Sequence, residues 1–253
     1  MAALALSATL TGCATLPNGH PAPGDPWERM NRSIWKFDNA LDHAVLRPVA
    51  RGYVRVTPTP VRQSISNFMT NLTYSDTIIN DLLQGKLSDG GNDIARLIVN
   101  TTVGIGGLFD PASRMDLDRH STDVGQTLGI WGLGRGPYLV IPFLGPSDVR
   151  DAFGSAADEY LTPRAYLNDF YTRWSLYLVN KLDQRAGLLD QDRLIDSAYD
   201  SYTFVRNAYL QNREFKVHGS QAERPETPED LSPDADGGDP TAAPAGETPP
   251  PGP

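Results

Sequence analysis

Residues 123–151 read DVGQTLGIWGLGRGPYLVIPFLGPSDVRD. Gly125, Gly129, Gly132, Gly134, Gly136, Pro137, Pro142, Gly145 and Pro146 interrupt this run every few residues. Glycine at that density dissolves helix and lets backbones turn sharply or approach closely. Gly136 to Gly145 therefore reads either as a short β-hairpin around an apolar tip or as an irregular loop. A second glycine knot, Gly104-Ile105-Gly106-Gly107, lies upstream.

On both sides of this centre the pattern is helical. Order begins at Asp25-Pro26-Trp27-Glu28, where Asp25 can cap, Pro26 suits the first helical position and Glu28 can complete a capping box. Trp27, Met30, Ile34, Phe37 and Leu41 then follow at spacings of three and four, one face of a helix, and Trp35 widens that face. Thr59-Pro60 opens a helix carrying Val61, Ile65, Phe68, Met69 and Leu72. Ser75 begins another, closed by Gly85, and Ser88 a third, with Ile94, Leu97 and Ile98. Beyond the centre, helix resumes at Pro146-Ser147-Asp148. A longer one runs from about Asp169 to Arg185, and a last one carries Tyr202, Val205, Tyr209 and Leu210 to near Val217. No βαβ alternation and no fixed-period repeat interrupts this order, so the fold class is mainly α.

The two ends differ from the middle. Residues 1–12, MAALALSATLTG, are small and apolar, and Leu10-Thr11-Gly12-Cys13 has the form of a lipobox. Residues 1–12 are accordingly expected to be a signal peptide and Cys13 the acylated first residue of the mature chain. Two or more acyl chains anchor stably. No Lys or Arg precedes Arg29, although a signal peptide needs a positive start, so the true start is expected upstream. Ala14, where aspartate commonly retains a lipoprotein in the inner membrane, is compatible with passage to the outer one. Residues 13–24 read as a Pro/Gly-rich tether. Residues 219–253 hold nine of the 21 prolines, eight acidic residues and one basic residue, with no aromatic, which is the composition of a disordered acidic tail.

That tail accounts for most of the formal charge of -9 and leaves residues 1–218 near neutral, with no basic stripe for nucleic acid. A single cysteine excludes an intrachain disulfide and any multi-cysteine metal site. His120, Ser121 and Asp123 invite a triad reading, but sequence neighbours seldom form one and no G-x-S-x-G elbow exists; a polar loop leading to a helix cap is the simpler account. Metal-binding spacings are absent, and Gly132-Leu133-Gly134-Arg135-Gly136 lacks the Lys-Ser/Thr of a phosphate loop, so neither metal nor cofactor is expected. Arg150–Asp151, and Arg206 with Asp200, read as structural ion pairs or caps, Arg150 having a lipid-headgroup contact as its alternative. Trp27, Trp35, Trp131 and Trp174 suit either a core or a lipid–water boundary.

The 123–151 run resembles the signature of the MlaA/VacJ lipoproteins. So do Asp25-Pro26 with Met30-Asn31-Arg32 and Phe37, Arg47-Pro48-Val49-Ala50, Asn67-Phe68 and Asn80-Asp81-Leu82-Leu83-Gln84-Gly85. Arg96 with Asn100-Thr101-Thr102-Val103-Gly104, Tyr202-Thr203-Phe204-Val205-Arg206 and Tyr209-Leu210-Gln211 continue the match, in order, across about residues 25–217. The resemblance implies a helical domain over 25–218: a ring-like bundle of amphipathic helices enclosing a channel. It would sit in the inner leaflet of the outer membrane beside trimeric porins. It would take phospholipid from the outer leaflet and pass it to a periplasmic phospholipid-binding carrier, without covalent chemistry. On that expectation Gly104, Gly106, Gly107, Gly129, Gly132, Gly134 and Gly136 shape the channel with Trp131. Tyr138, Leu139, Ile141, Phe143 and Leu144 form an apolar lip. Trp27, Met30, Ile34, Trp35 and Phe37 lie in the membrane interface. The competing expectation is a scaffold lipoprotein that tethers porins without moving lipid; a lipid hydrolase is a third.

Overall fold

The computed structural model describes residues 20–219. The expected signal peptide, Cys13, most of the tether and nearly all of the acidic tail lie outside the described residues. Helix dominates, as the periodicity predicts, with one two-stranded antiparallel sheet.

Helix α1 (Glu28–Leu41) runs into a π-helical turn, Asp42–Leu46, and on into α2 (Arg47–Val56). Pro48 explains the turn. It has no N–H for the carbonyl four residues back and its ring crowds that carbonyl, so the chain widens locally and Arg47 N–H donates to Asp42 O instead. Asp25 does not cap α1. Its carboxylate is buried and accepts from Asn31 Nδ2 (2.8 Å) and the Tyr202 hydroxyl, with Arg206 Nη1 at 3.4 Å. Glu28 likewise turns from the expected capping box to Ala22 N–H (2.7 Å) and Arg32 (2.8 Å).

The two helices expected on either side of Ser75 are one, α3 (Thr59–Leu83). Ser75 does not cap because its hydroxyl donates to Leu161 O (2.7 Å) across the fold. Gly85, at φ +75°, ends α3 as expected: Gly85 N–H returns to Leu82 O and Lys86 N–H to Asp81 O, the paired bonds of a Schellman stop. Helix α4 (Leu87–Thr102) packs back on α3. Then come a 3-10 turn at Ala112–Met115 and the short α5 (Val124–Ile130).

The glycine-rich centre does contain a hairpin, shifted by a few residues. Strands β1 (Tyr138–Ile141) and β2 (Gly145–Asp148) pair with Tyr138 opposite Asp148 and Ile141 opposite Gly145. After β2 come α6 (Val149–Leu161), α7 (Phe170–Gly187), the short α8 (Asp192–Ser197) and α9 (Ser201–His218). Four of these helices start on an aspartate: Asp123, Asp148, Asp169 and Asp200 each accept the N–H three residues on. Each such cap contributes about 1 kcal/mol.

The apolar core is small. Tyr138, Val140 and Tyr202 form its centre, with Ile34, Trp35, Tyr209 and Leu210 against them. Strand β1 is thus clamped between α1 and α9, and Asn31 fixes its edge by donating to Tyr138 O (3.1 Å) and accepting from Val140 N–H (3.0 Å).

Candidate functional site: an apolar exterior around a polar cavity

Helices α1 and α2 turn the wrong way round for a water-soluble bundle. Among the described residues, twenty polar or charged side chains are buried against eight hydrophobic ones, so polarity fills the interior. On α1 the buried positions are Glu28 and Asn31, while Trp27, Met30 and Phe37 are exposed, Phe37 by 50%. On α2, Arg47 and Ala50 are buried and Val49 and Val56 face out. Val103, Ile105 and Phe109 after α4, and Phe170, Trp174 and Leu178 on α7, are also exposed. A contiguous apolar surface marks contact with protein or membrane, and amphipathic helices of this kind lie in a lipid interface. Among the described residues no helix is long and apolar enough to cross a membrane.

Ion pairs hold the inside together. Arg213 reaches Asp123 (2.6 Å) and Asp151 (2.8 Å), joining α9 to the starts of α5 and α6. Burial alone would lower the Arg213 guanidinium; the two carboxylates outweigh it and hold its pKa far above the usual value. Arg185 grips Asp42 (2.6 Å) and Asp192 (2.8 Å), and Arg47 grips Asp196 (2.7 Å), tying the π turn to α7 and α8. Removing one partner from such a buried pair leaves the other charge uncompensated.

Between α3, α7 and the loop before α5 lies a polar cavity of about 570 Å³. Its α3 wall carries Thr59, the adjacent pair Arg62 and Gln63, Ser66, Thr70, Thr73 and Asp76, otherwise three or four residues apart. Opposite stand Asn180, Asp183 and Gln184 of α7, with His120 and Thr122 from the loop. Burial pushes the Asp76 carboxyl up to about 6, in part offset by hydrogen bonds from Thr77. Asp158, which accepts Val124 N–H (2.9 Å), is likewise pushed up to about 6 by burial.

A second hollow, of about 230 Å³, is mostly apolar. Trp35, Leu41, Leu46, Phe143, Leu144 and Leu188 line it, together with the ion-paired Asp42, Arg47, Arg185 and Asp192. The end of α7 divides the two spaces: Asp183, Gln184 and Gly187 face the polar cavity, Arg185 and Leu188 the apolar one.

The expected site residues separate into groups. Phe143 and Leu144 form an exposed hairpin tip, and Phe143 stands edge-on to Phe37 with ring centroids 5.6 Å apart, so part of the expected lip meets the expected interface helix. Tyr138 does not belong to that lip: it is buried core, edge-on to Tyr202 and tilted against Tyr209, because alternate β1 residues point inward. Leu139 and Ile141 are half-buried on the other face.

None of the seven candidate glycines lines either hollow. Gly104 is a close approach of backbone, where a Cβ would stand 2.3 Å from Asn100 O and 2.4 Å from Phe109 O. At Gly107 it would meet Asn71, at Gly129 Arg150 and Val217, and at Gly136 Val149. Gly106, Gly132 and Gly134 have open space around them. Trp131 is exposed, its indole N–H donating to Leu83 O (3.2 Å).

Arg150 and Asp151 are both buried and bonded to each other at 3.1 Å, the structural alternative. Arg206 and Asp200 do not pair: Asp200 holds Arg32 (2.7 Å) and Arg206 turns to Asp25. The His120 triad is absent too, since its Nδ1 faces Asp93 (3.1 Å) while Asp123 caps α5 and binds Arg213. The polar stripe of α3 was present in the sequence at helical period, but only the apolar residues of that helix enter a search for a core.

A family model described as MlaA lipoprotein matches residues 23–216. The intermembrane phospholipid transport system lipoprotein MlaA of Escherichia coli is 35% identical over 235 residues, 90% of this chain and 92% of that one. Its counterpart of the same name in Haemophilus influenzae is 33% identical over 247 residues, 91% and 96%. A solved structure described as the structural basis for maintenance of bacterial outer membrane lipid asymmetry superposes with a TM-score of 0.70 at 36% identity. That alignment covers 76% of this chain and 98% of the other. Matched over most of its length by the family model and nearly end to end by such relatives, the chain belongs to the MlaA lipoprotein family.

Proposed function

We propose that this chain is the lipoprotein component of an intermembrane phospholipid transport system. In this reading it is a passive conduit, held by acylated Cys13 at the inner leaflet of the outer membrane. It removes phospholipid from the outer leaflet, hands it to a periplasmic carrier and docks beside trimeric porins, with no covalent step. The family supplies the system; the inverted polarity of the molecule supports its place in lipid.

A phospholipid requires a wet path for its head and a greasy path for its tails. The polar cavity bounded by α3 and α7 suits the head, with room on the order of twenty waters at ~30 Å³ each. The apolar hollow under Phe143 and Leu144 suits acyl chain, and the last turn of α7 lies between them. The single observation that carries the reading is the polarity of α1 and α2, which bury Glu28, Asn31 and Arg47 and expose Met30, Phe37, Val49 and Val56.

The test is an outer-leaflet phospholipid assay in a deletion strain, complemented with the gene and with Cys13→Ala. Wild type is expected to restore a phospholipid-poor outer leaflet and Cys13→Ala to fail. Normal leaflet composition in the deletion strain, with lipid-free purified protein, refutes the conduit and leaves a porin-tethering scaffold. Release of fatty acid from labelled phospholipid by purified protein refutes the absence of chemistry. Bulky replacement of Gly134, which has open space around it and lines neither hollow, tests the expected channel role of the glycines: altered outer-leaflet lipid at unchanged protein level is expected, and unchanged lipid counts against a path there.

A further inference from the structure

Two carboxylates lie behind the wall of the polar cavity with no cation to match them. Asp81, from the last turn of α3, and Asp93, from α4, are both 0% exposed. Neither oxygen of Asp81 has a hydrogen-bond partner, and Asp93 Oδ2 has none either. Asp93 Oδ1 is fully engaged: the Tyr74 hydroxyl donates to it at 2.8 Å, Asn92 Nδ2 at 3.3 Å, and His120 Nδ1 lies at 3.1 Å. Among the described residues neither carboxylate forms an ion pair with Lys or Arg; nearby Arg96 is committed to Asp110 at 2.9 Å. A buried carboxylate with both oxygens unsatisfied, as at Asp81, beside a second that is only half satisfied is costly, and native interiors pair such charges or bind metal with them.

The third member fixes the chemistry. One ligand atom each from Asp81, Asp93 and His120 lies within 4.8 Å of the others. In a tetrahedral site with bonds of about 2.1 Å, ligand atoms stand roughly 3.4 Å apart, so a modest inward movement of side chains supplies three of the four ligands and leaves the fourth position to water. Imidazole with two carboxylates suits zinc-like divalent ions, whereas magnesium and calcium prefer all-oxygen shells of six or more. His120 also lines the polar cavity, which gives the ion a way in.

We propose that Asp81, Asp93 and His120 form a structural site for a zinc-class divalent cation, cross-linking α3, α4 and the loop that leads to α5. The ion replaces what Arg does elsewhere in this interior. Sequence spacing hides it, because the three ligands come from separate elements. The proposal is independent of the transport reading: it concerns how the cavity wall is held, and a negative result leaves lipid transport untouched.

The experiment uses the full chain in detergent, stripped with chelator and titrated with Zn²⁺, Mg²⁺ and Ca²⁺ by calorimetry, with metal content measured in parallel. Wild type is expected to hold one tight Zn²⁺ that raises the melting temperature and that chelator removes. Asp81→Asn and His120→Gln are each expected to lose that one equivalent, affinity falling roughly 100-fold or more. Weak zinc sites at His20, His43 or His218 persist in both variants and so cancel. Zinc stoichiometry unchanged by His120→Gln, which sits at the cavity edge and should fold, overturns the proposal. So does preference for Mg²⁺ or Ca²⁺, or a melting temperature indifferent to zinc in wild type; the two aspartates then share a proton instead.

Discussion

Phe143 offers the sharpest test of the apolar exterior. It sits at the hairpin tip, 69% exposed, with its ring against that of Phe37. A phenylalanine presents about 200 Å² of side chain, so about 140 Å² of it faces outward. At about 25 cal/mol per Å², moving that area from water into lipid contributes roughly 3.5 kcal/mol, an upper figure because the ring need not enter the bilayer fully. Phe143→Ser should therefore weaken membrane partition by about two orders of magnitude. The acyl anchor would mask the loss, so the comparison is made between Cys13→Ala and Cys13→Ala/Phe143→Ser proteins, by flotation with phospholipid vesicles. Thermal melts in detergent control for folding, which should change little since the ring leaves water-exposed space. Equal vesicle binding by two equally stable proteins refutes the assignment of this tip to the membrane face.

Other outcomes follow from the interior. Arg213→Gln strips the partner from Asp123 and Asp151 and is expected to cost about 3–5 kcal/mol in chemical denaturation; a cost below about 1 kcal/mol would show those pairs to be solvated. Gly104→Ala, forced against two carbonyl oxygens, is expected to lower the melting temperature markedly, while Gly134→Ala, with nothing within 4 Å, should shift stability by no more than about 0.5 kcal/mol. Acidity should first help the fold. Asp76 and Asp158 have native pKa values near 6, above the ordinary 3.8, so the native state holds protons there that the unfolded chain has released, and stability falls as pH rises through about 6. The melting temperature is then expected to be higher at pH 5 than at pH 7.5, and Asp158→Asn to flatten the difference. Below pH 4 the trend reverses: burial of Asp200 is outweighed by Arg32 and Thr203, which hold it down at about 2, and its stabilisation is lost as it protonates. A monotonic fall in melting temperature from pH 7.5 to 5 would refute the assignment of Asp76 and Asp158.

Much of the element order was legible. Gly85 announced the end of α3 and Asp169 the start of α7, because turn and cap chemistry is local and a few residues suffice to specify it, whereas the glycine-rich run left hairpin and irregular loop both open. Failures occurred where a local signal was overruled from a distance. Ser75 has the chemistry of a cap, yet Leu161 O takes its hydroxyl and α3 runs through. Asp25 has it too, yet Tyr202 and Asn31 claim the carboxylate. Leu161 and Tyr202, 86 and 177 residues away, leave no trace in the neighbourhood of Ser75 or Asp25, and Asn31, six residues on, gives no sign by itself that it will take the cap. The cavity was half legible: the polar stripe from Thr59 to Asp76 has the same period as the apolar one, and a reading that seeks only greasy faces passes over it.

That asymmetry has a physical root. Periodicity reports that a helix has two unlike faces; it does not report which medium each one meets. In water the apolar face turns inward, and Met30 and Phe37 would have been assigned to a core without further thought. Here Glu28 and Asn31 of the same helix are inside, bonded to Arg32, Asp25 and the edge of β1. An inside of that kind gains little from hydrophobic burial, so specific pairs must hold it, and the chain supplies them as arginine–aspartate contacts that bind α9 to α5 and α6, α7 to the π turn, and α1 to Asp200. Such pairs become stronger as water is excluded around them. A lipid environment covering Phe37, Val49 and Phe143 would stabilise the molecule by taking that apolar surface out of water, while for the charges beneath it the desolvation of each ion offsets the stronger attraction. The orientation of the faces, which the period left open, is the feature that joins this fold to its proposed work.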